Sequence, residues 1–213
     1  KAAVRVLEAA GVDVALADRT DSGRPAHSKG FLEKSRRTAE ANVDALAPRI
    51  EEGWDVVVVE PSDAVMFQSD YLDLLSGDAV ETVAANSYGV MEYLDAFGLD
   101  AALPTRDVDE SLTYHGHCHQ KAVKKDHHAV GVLRRAGYRV DPLDSTCCGM
   151  AGSFGYESEH YSMSKAIASI LYDQVDGSFG ETVVAPGASC RTQLDDHADR
   201  VRTPVEMLDR ALR

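Results

Sequence analysis

Apolar positions recur along this chain in two rhythms. Spacings of three and four residues mark helices, and short unbroken apolar runs mark strands buried on both faces. Val130 to Ala136 reads as a helix stopped by Gly137, and Tyr138 to Leu143 as a short strand. Gly155 to Val175 predicts a helix with Met163, Ala166, Ile167, Ile170 and Leu171 at helical spacing. Glu181 to Ala185 predicts a strand, closed by a Pro186-Gly187 loop. Thr203-Pro204-Val205-Glu206 is a helix start, with Thr as cap, Pro at the first position and Glu at the third. Earlier in the chain, Ser28 to Glu52 predicts a long helix, Trp54 to Val59 a buried strand and Val80 to Phe97 a further helix. Ser111 to Tyr114 is the strand that follows. Strands alternating with helices imply an α/β fold, with parallel strands covered by helices.

The pattern occurs twice. Ala3 to Gly11 (AVRVLEAAG) returns as Ala129 to Gly137 (AVGVLRRAG). At the same offset Val14 matches Val140, Thr20 matches Thr146 and Gly23 matches Gly149. Asp21-Ser22-Gly23 therefore stands where Cys147-Cys148-Gly149 stands. After one inserted residue, Val56-Val57 matches Val183-Val184, and Ser62-Asp63 matches Ser189-Cys190. Helices favour such residues in any protein, but chance does not readily keep the whole order of helix, strand, glycine loop, helix, strand and serine loop. The expectation is two pseudo-repeated units, 1–104 and 105–213, joined by a linker near Asp100 to Glu110 and related by an approximate two-fold axis.

With 213 residues, 44% of them hydrophobic, the chain can bury a core. No apolar run reaches the roughly 20 residues of a membrane-spanning helix, and no signal peptide is legible. The chain opens at Lys1 inside a helical pattern without an initiator Met, which reads as a fragment of a longer protein. Net charge is −13, dispersed over the chain, with Asp exceeding Glu and Arg exceeding Lys. Such a surface repels phosphate backbones, so nucleic acid is not expected as a partner. It is also the surface of a salt-adapted cytoplasmic protein, the bland alternative being an ordinary acidic one.

Candidate chemistry lies in four cysteines, Cys118, Cys147, Cys148 and Cys190. Each follows a predicted strand of the second repeat, and parallel sheets gather their ligands at the carboxyl ends of the strands. All four can therefore meet at one sheet edge. Four thiolates suit zinc or an iron–sulfur cluster. Structural zinc usually draws on C-x-x-C pairs, and none occurs here. The adjacent Cys147-Cys148 suits a polynuclear cluster better than one tetrahedral ion. The first repeat carries Asp21, Ser22 and Asp63 at the matching places.

Three segments carry a resemblance: HCHQKA (His117 to Ala122), CCGMAGSFGYE (Cys147 to Glu157) and SCRTQL (Ser189 to Leu194). They resemble the cysteine-rich CCG domain, usually present as two tandem copies. That domain occurs in the glycolate oxidase iron–sulfur subunit, lactate-utilisation oxidoreductases, the small subunit of anaerobic glycerol-3-phosphate dehydrogenase, and heterodisulfide reductase. The resemblance implies an electron-transfer module, in the C-terminal part of an FAD-linked 2-hydroxyacid or glycerol-3-phosphate dehydrogenase. Its partners would be an FAD-carrying flavin domain or subunit, a ferredoxin-like domain, and a quinone or similar acceptor. A cytoplasmic location, or a peripheral one at the inner face of the cell membrane, goes with it. The implied metal ligands are Cys118, Cys147, Cys148 and Cys190, holding a four-iron (4Fe–4S) cluster and no substrate. The sequence departs from the family pattern in three places. Gly187 replaces the first cysteine of a terminal C-x-x-C, DSGRP replaces CCGRP, and EPSD replaces EPSC. Loss of the first copy's thiols favours simple electron transfer over heterodisulfide cleavage.

Around the thiols, His115, His117 and His119 would tune the cluster by hydrogen bonds or supply a ligand, against the alternative of satisfied or solvent-facing histidines. Gly149, with Gly152 and Gly155, would bring backbone N–H groups to the sulfurs. Arg191 and Lys121 would stabilise thiolates, or are ordinary surface charges. His127-His128 reads as helix surface. Two functions compete with the redox module: a structural zinc-binding domain, and a thiol redox catalyst using Cys147 or Cys148 with a nearby His as base.

Overall fold

The computed structural model describes residues 1–17, 21–145 and 147–213. Thr20 and Thr146, paired by the repeat, lie outside the described residues. The helices in chain order are α1 (Ala2–Ala9), α2 (Arg24–Ser28), α3 (Leu32–Glu51), α4 (Pro61–Val65), α5 (Tyr71–Leu74) and α6 (Asp78–Ala85). They continue with α7 (Val90–Ala96), α8 (Cys118–Ala122), α9 (His127–Arg135), α10 (Tyr161–Asp176), α11 (Ala188–Leu194) and α12 (Pro204–Ala211). The strands are β1 (Val56–Val58), β2 (Ser87–Gly89), β3 (Ser111–Tyr114), β4 (Arg139–Pro142) and β5 (Thr182–Val184). A π-helical turn at Met66–Asp70 joins α4 to α5. The fold is α/β, and every ladder between named strands is parallel.

Packing divides the chain into two compact units. One comprises Lys1–Asp13 and Met91–Arg213, the other Val14–Val90. This division differs from that by sequence repeat because α1, the opening helix of the first repeat, packs on α12, where Arg5 Nε donates to Asp209 Oδ1 at 2.7 Å.

In the larger unit the sheet order is β4-β3-β5, with β3 central. All four β3 residues are buried, as a middle strand covered on both faces requires. The ladder continues past β3, because His115 N donates to Val184 O at 2.9 Å. An apolar cluster of Met150, Leu171, Val183, Ala185, Leu194 and Val201 lies against the sheet and includes Cys148 and Cys190. The capping box read at Thr203 is present: its hydroxyl accepts from Glu206 N, and the Glu206 carboxylate accepts from Thr203 N at 2.8 Å.

The smaller unit pairs β1 with β2 and packs Ala39, Val43, Leu46 and Ala47 of α3 against Val58, Met66, Phe67, Tyr71, Val80 and Val83. Here the sequence reading missed an element. The helix expected over Val80 to Phe97 is interrupted by β2 and splits into α6 and α7. Helical spacing continues through Ser87-Tyr88-Gly89, but β1 needs a ladder partner and takes these residues as one. Two helix starts also move inward. The helix expected from Ser28 begins at Leu32, after Gly30 at φ +77°. The helix expected from Gly155 begins at Tyr161, after a 3-10 turn at Phe154–Tyr156.

The inward face of α10 is also rotated from the expected one. Met163 and Ile170 are exposed, while Ser164, Ala168 and Leu171 are buried. Small residues face inward because the Cys148-Gly149 backbone runs against this helix. A Cβ on Gly149 would stand 2.4 Å from Ser164 O.

Candidate metal centre

Three loops leave the carboxyl ends of β3, β4 and β5 and converge. The first carries His115, His117 and Cys118, the second Ser145, Cys147 and Cys148, and the third Gly187 and Cys190. Each turns at once into a short helix or a glycine bend, so its donors stay near the sheet edge. Gly149 lies at φ +92°, and its N–H donates to Cys147 Sγ at 3.3 Å. Only glycine serves there, since the left-handed backbone and the Ser164 carbonyl both exclude a side chain.

All four cysteines are free thiols. Cys148 and Cys190 are buried; Cys118 and Cys147 are partly exposed. One donor atom each of His115, Cys148 and Cys190 lies within 4.8 Å of the others. Cys147 contacts Cys148, Cys148 contacts Cys190, and Cys118 lies within electrostatic range of Cys147. Cys148 and Cys190 thus share the buried interior with His115, and Cys118 and Cys147 are the more exposed thiols. A groove of about 550 Å³ is lined by Cys118, Lys121, Ala122, Leu143 and Ser145.

The electrostatics disfavour free thiolates. Burial and the neighbouring Cys147 push the Cys118 thiol up. Contact with Cys148, then burial, pushes Cys147 up more strongly, against the Gly149 N–H. The Cys147 contact lowers Cys148, but Cys190 and burial outweigh it and leave Cys148 at about 12. His115 is driven down to about 4 by burial and by Lys121, against Cys147, so its imidazole is neutral at pH 7. Four crowded thiols discharged by a bound cation, beside a neutral imidazole, form a donor set that fits a thiophilic metal or an iron–sulfur cluster.

The remaining sequence candidates are placed as follows. His117 caps α8, its Nδ1 accepting from His119 N at 3.2 Å, and its ring meets that of His119 edge-on at 5.1 Å. The His117 ring also fills the space a residue at 187 would need: a Cβ on Gly187 would lie 2.3 Å from its Cδ2 and 3.4 Å from Cys190 Sγ. The Arg191 guanidinium donates to Ala185 O at 3.3 Å and Pro186 O at 2.5 Å, bracing the loop after β5. Lys121 Nζ bonds the carbonyls of Leu143 and Ser145 and pins the loop before Cys147. Asp95, His127 and His128 form a second close group, but Asp95 is already bound by Arg135 and His128.

At the places that the sequence offset pairs with these thiols, the structure holds hydrogen bonds. Ser22 Oγ donates to Asp63 Oδ1 at 2.5 Å, and Gly23 N donates to Asp21 Oδ1 at 2.7 Å. Buried Asn42 donates to Asp21 O and to the Tyr71 hydroxyl, which itself donates to Ser22 O at 2.8 Å. The sequence offset pairs Ser22 with Cys148 and Asp63 with Cys190, and each of the two pairs is in contact.

Residues 112–195, which carry every one of these thiols, match the family described as the cysteine-rich domain, CCG. The match is confined to those residues. Around it the chain is similar to a subunit of the anaerobic glycerol-3-phosphate dehydrogenase of Escherichia coli (strain K12), at 26% identity over 98% of this chain and 54% of that one. It is similar to the glycolate oxidase iron-sulfur subunit of the same organism, at 26% over 99% of this chain and 53% of that one. It is also similar to the D-2-hydroxyglutarate dehydrogenase of that organism, at 27% over 96% of this chain and 20% of that one. The chain spans about half the length of the first two and a fifth of the third. Sequence reasoning singled out His117 and His119 and gave His115 less weight, although among the described residues it is His115 that groups with the buried Cys148 and Cys190. Its position one residue past β3 was the available signal.

Proposed function

We propose that this chain is the iron–sulfur electron-transfer part of a flavin-linked dehydrogenase, with Cys118, Cys147, Cys148 and Cys190 holding a 4Fe–4S cluster. The observation that carries the reading is four free thiols on the loops at one sheet edge, buried at Cys148 and Cys190 and partly buried at Cys118 and Cys147. A cluster seated there would accept and release single electrons. The protein's residues would hold it through sulfur, turn the Gly149 N–H toward Cys147 and shield its inner side from water with Met150, Leu171 and Leu194. The relatives' names, two dehydrogenases and an oxidase iron-sulfur subunit, support a place in an oxidoreductase, and the proposed neighbours are an FAD-bearing flavin domain or subunit and a ferredoxin-like domain. The electron donor would oxidise a 2-hydroxyacid or glycerol 3-phosphate, and a quinone or similar acceptor would take the electrons. We further propose that 1–104 and 105–213 are tandem copies, the first having exchanged its metal site for the Ser22–Asp63 hydrogen bond. Among the described residues, no helix is long and apolar enough to cross a membrane. The proposed location is the cytoplasm or the inner face of the membrane, and the acidic surface is proposed to be an adaptation to salt.

Direct thiol catalysis is the weaker reading, because Cys147 and Cys148 are held protonated and neutral His115 is too weak a base to activate them. Anaerobic purification followed by iron, sulfide and zinc analysis and visible absorption tests the proposal. Brown protein with iron and sulfide in equal amounts is expected, and replacing any one cysteine with Ser lowers both. Colourless protein with one zinc per chain would sink the electron-transfer reading.

A further inference from the structure

We infer that His115 is a ligand of the metal centre, its imidazole closing a His–Cys–Cys donor set with Cys148 and Cys190. This deepens the reading above and rests on the same thiols.

The distances let these three donors reach a single ion such as cobalt(II), or let His115 stand as a fifth donor beside Cys148 and Cys190 on a cluster held by the four thiolates. Around a tetrahedral ion bound at about 2.3 Å by sulfur and about 2.0 Å by nitrogen, neighbouring donors stand roughly 3.5–4 Å apart. The three donor atoms here already lie within 4.8 Å of one another, so small side-chain rotations complete the set. The imidazole itself points to a ligand. His115 is 1% exposed, and its Nε2 has no hydrogen-bond partner among the described residues. Buried polar atoms are nearly always satisfied. Nδ1 is engaged by Ser145 Oγ at 2.6 Å. With its proton on Nδ1 and donated to that hydroxyl, the ring presents a lone pair at Nε2, the arrangement in which metal-binding histidines are usually oriented.

The backbone fixes this placement. The bond from His115 N to Val184 O continues the ladder toward the loop that carries Cys190. The Ser145 contact ties the ring to the loop that carries Cys147 and Cys148. His117 is used otherwise: its Nδ1 accepts the His119 N–H, and its ring stands where a Gly187 side chain would be. The missing cysteine at 187 is thus offset by two histidines in different roles, His117 as filler and His115 as ligand. A neutral imidazole in place of a thiolate leaves the centre less negative, which raises its reduction potential.

The test uses the full apo chain under argon, titrated with cobalt(II). One cobalt per chain, with tetrahedral d–d bands and sulfur-to-cobalt charge transfer, is expected. His115→Ala should weaken binding by about tenfold or more, as loss of an oriented ligand does. His115→Cys should recover it with shifted bands, and this variant decides the matter if the alanine variant fails to fold. In the iron-loaded protein, pulsed EPR of the reduced centre should show nitrogen coupling that His115→Cys abolishes, and the cysteine variant should have the lower potential. Cobalt binding unchanged in affinity and spectrum in His115→Ala overturns the inference. So does an iron–sulfur centre without nitrogen coupling, which leaves the cluster reading intact. Cobalt bound through His115 with no iron–sulfur cluster formed would instead retain the ligand and sink the cluster. A chain that takes up neither metal sinks both.

Discussion

At the scale of single residues, positions paired by the sequence offset do opposite work. Ser22 and Asp63 make a hydrogen bond where Cys148 and Cys190 bring sulfurs together. Asp63→Ala leaves the buried Ser22 hydroxyl without its acceptor, a loss of about 1–3 kcal/mol. Urea unfolding should register that loss while bound iron stays at the wild-type level; a fall in iron would place Asp63 in the metal site. Gly149→Ala is the complementary case. It forces a side chain into a left-handed backbone and against Ser164 O. A cost of at least about 1–3 kcal/mol is expected, and iron should fall with it, because the Cys147-Cys148 turn cannot keep its shape. A variant with full iron and unchanged stability would refute the close-approach account of this glycine. Cysteine spacing and the glycine made these positions legible in the sequence. The separate roles of His115 and His117 were not, since both precede Cys118 and only the packing of β5 beside β3 sorts them.

At the scale of elements, local signals succeeded where the element owns its stabilising bonds. Helix α12 is an instance: Thr203, Pro204 and Glu206 were read as its start and form a complete capping box. Thr203→Ala should cost about 1 kcal/mol. Its partner adds a pH dependence. Burial pushes the Glu206 carboxyl up, but the hydrogen bonds from the Thr203 N–H and hydroxyl, with Arg191 and Arg202, bring it below its usual value. A depressed carboxyl contributes stability above its unfolded pKa and loses it as pH falls through the folded one. The stability gap between wild type and Glu206→Ala should therefore be flat above about pH 5 and shrink below it. A gap that widens on acidification would contradict the box. Local signals failed at β2 and at the face of α10. Tyr88 and its neighbours are strand only because β1 lies beside them, and Met163 and Ile170 face outward only because the Gly149 turn occupies the other side.

For the whole molecule the relevant quantity is charge. Thirty-five carboxylates against 22 lysines and arginines leave −13, and the ion pairs are mostly at the surface. Such pairs contribute little individually, so mutual repulsion dominates in dilute buffer and salt screens it. The melting temperature should rise from dilute buffer to molar potassium chloride. A melting temperature indifferent to salt would argue against repulsion as a term in stability.

The sequence by itself determined the alternation of strands and helices, the four thiols and the loops that carry them. These follow from periodicity, turn chemistry and residue identity, each of which acts over a few neighbours. The tertiary structure decided which atoms share a space. It joined His115 to Cys148 and Cys190, put the His117 ring at the empty side of Gly187, pressed Gly149 against α10, turned Arg191 onto backbone carbonyls and made β2 a strand. Each of these depends on segments far apart in the chain meeting at one sheet edge, and spacing along the sequence carries no measure of that approach.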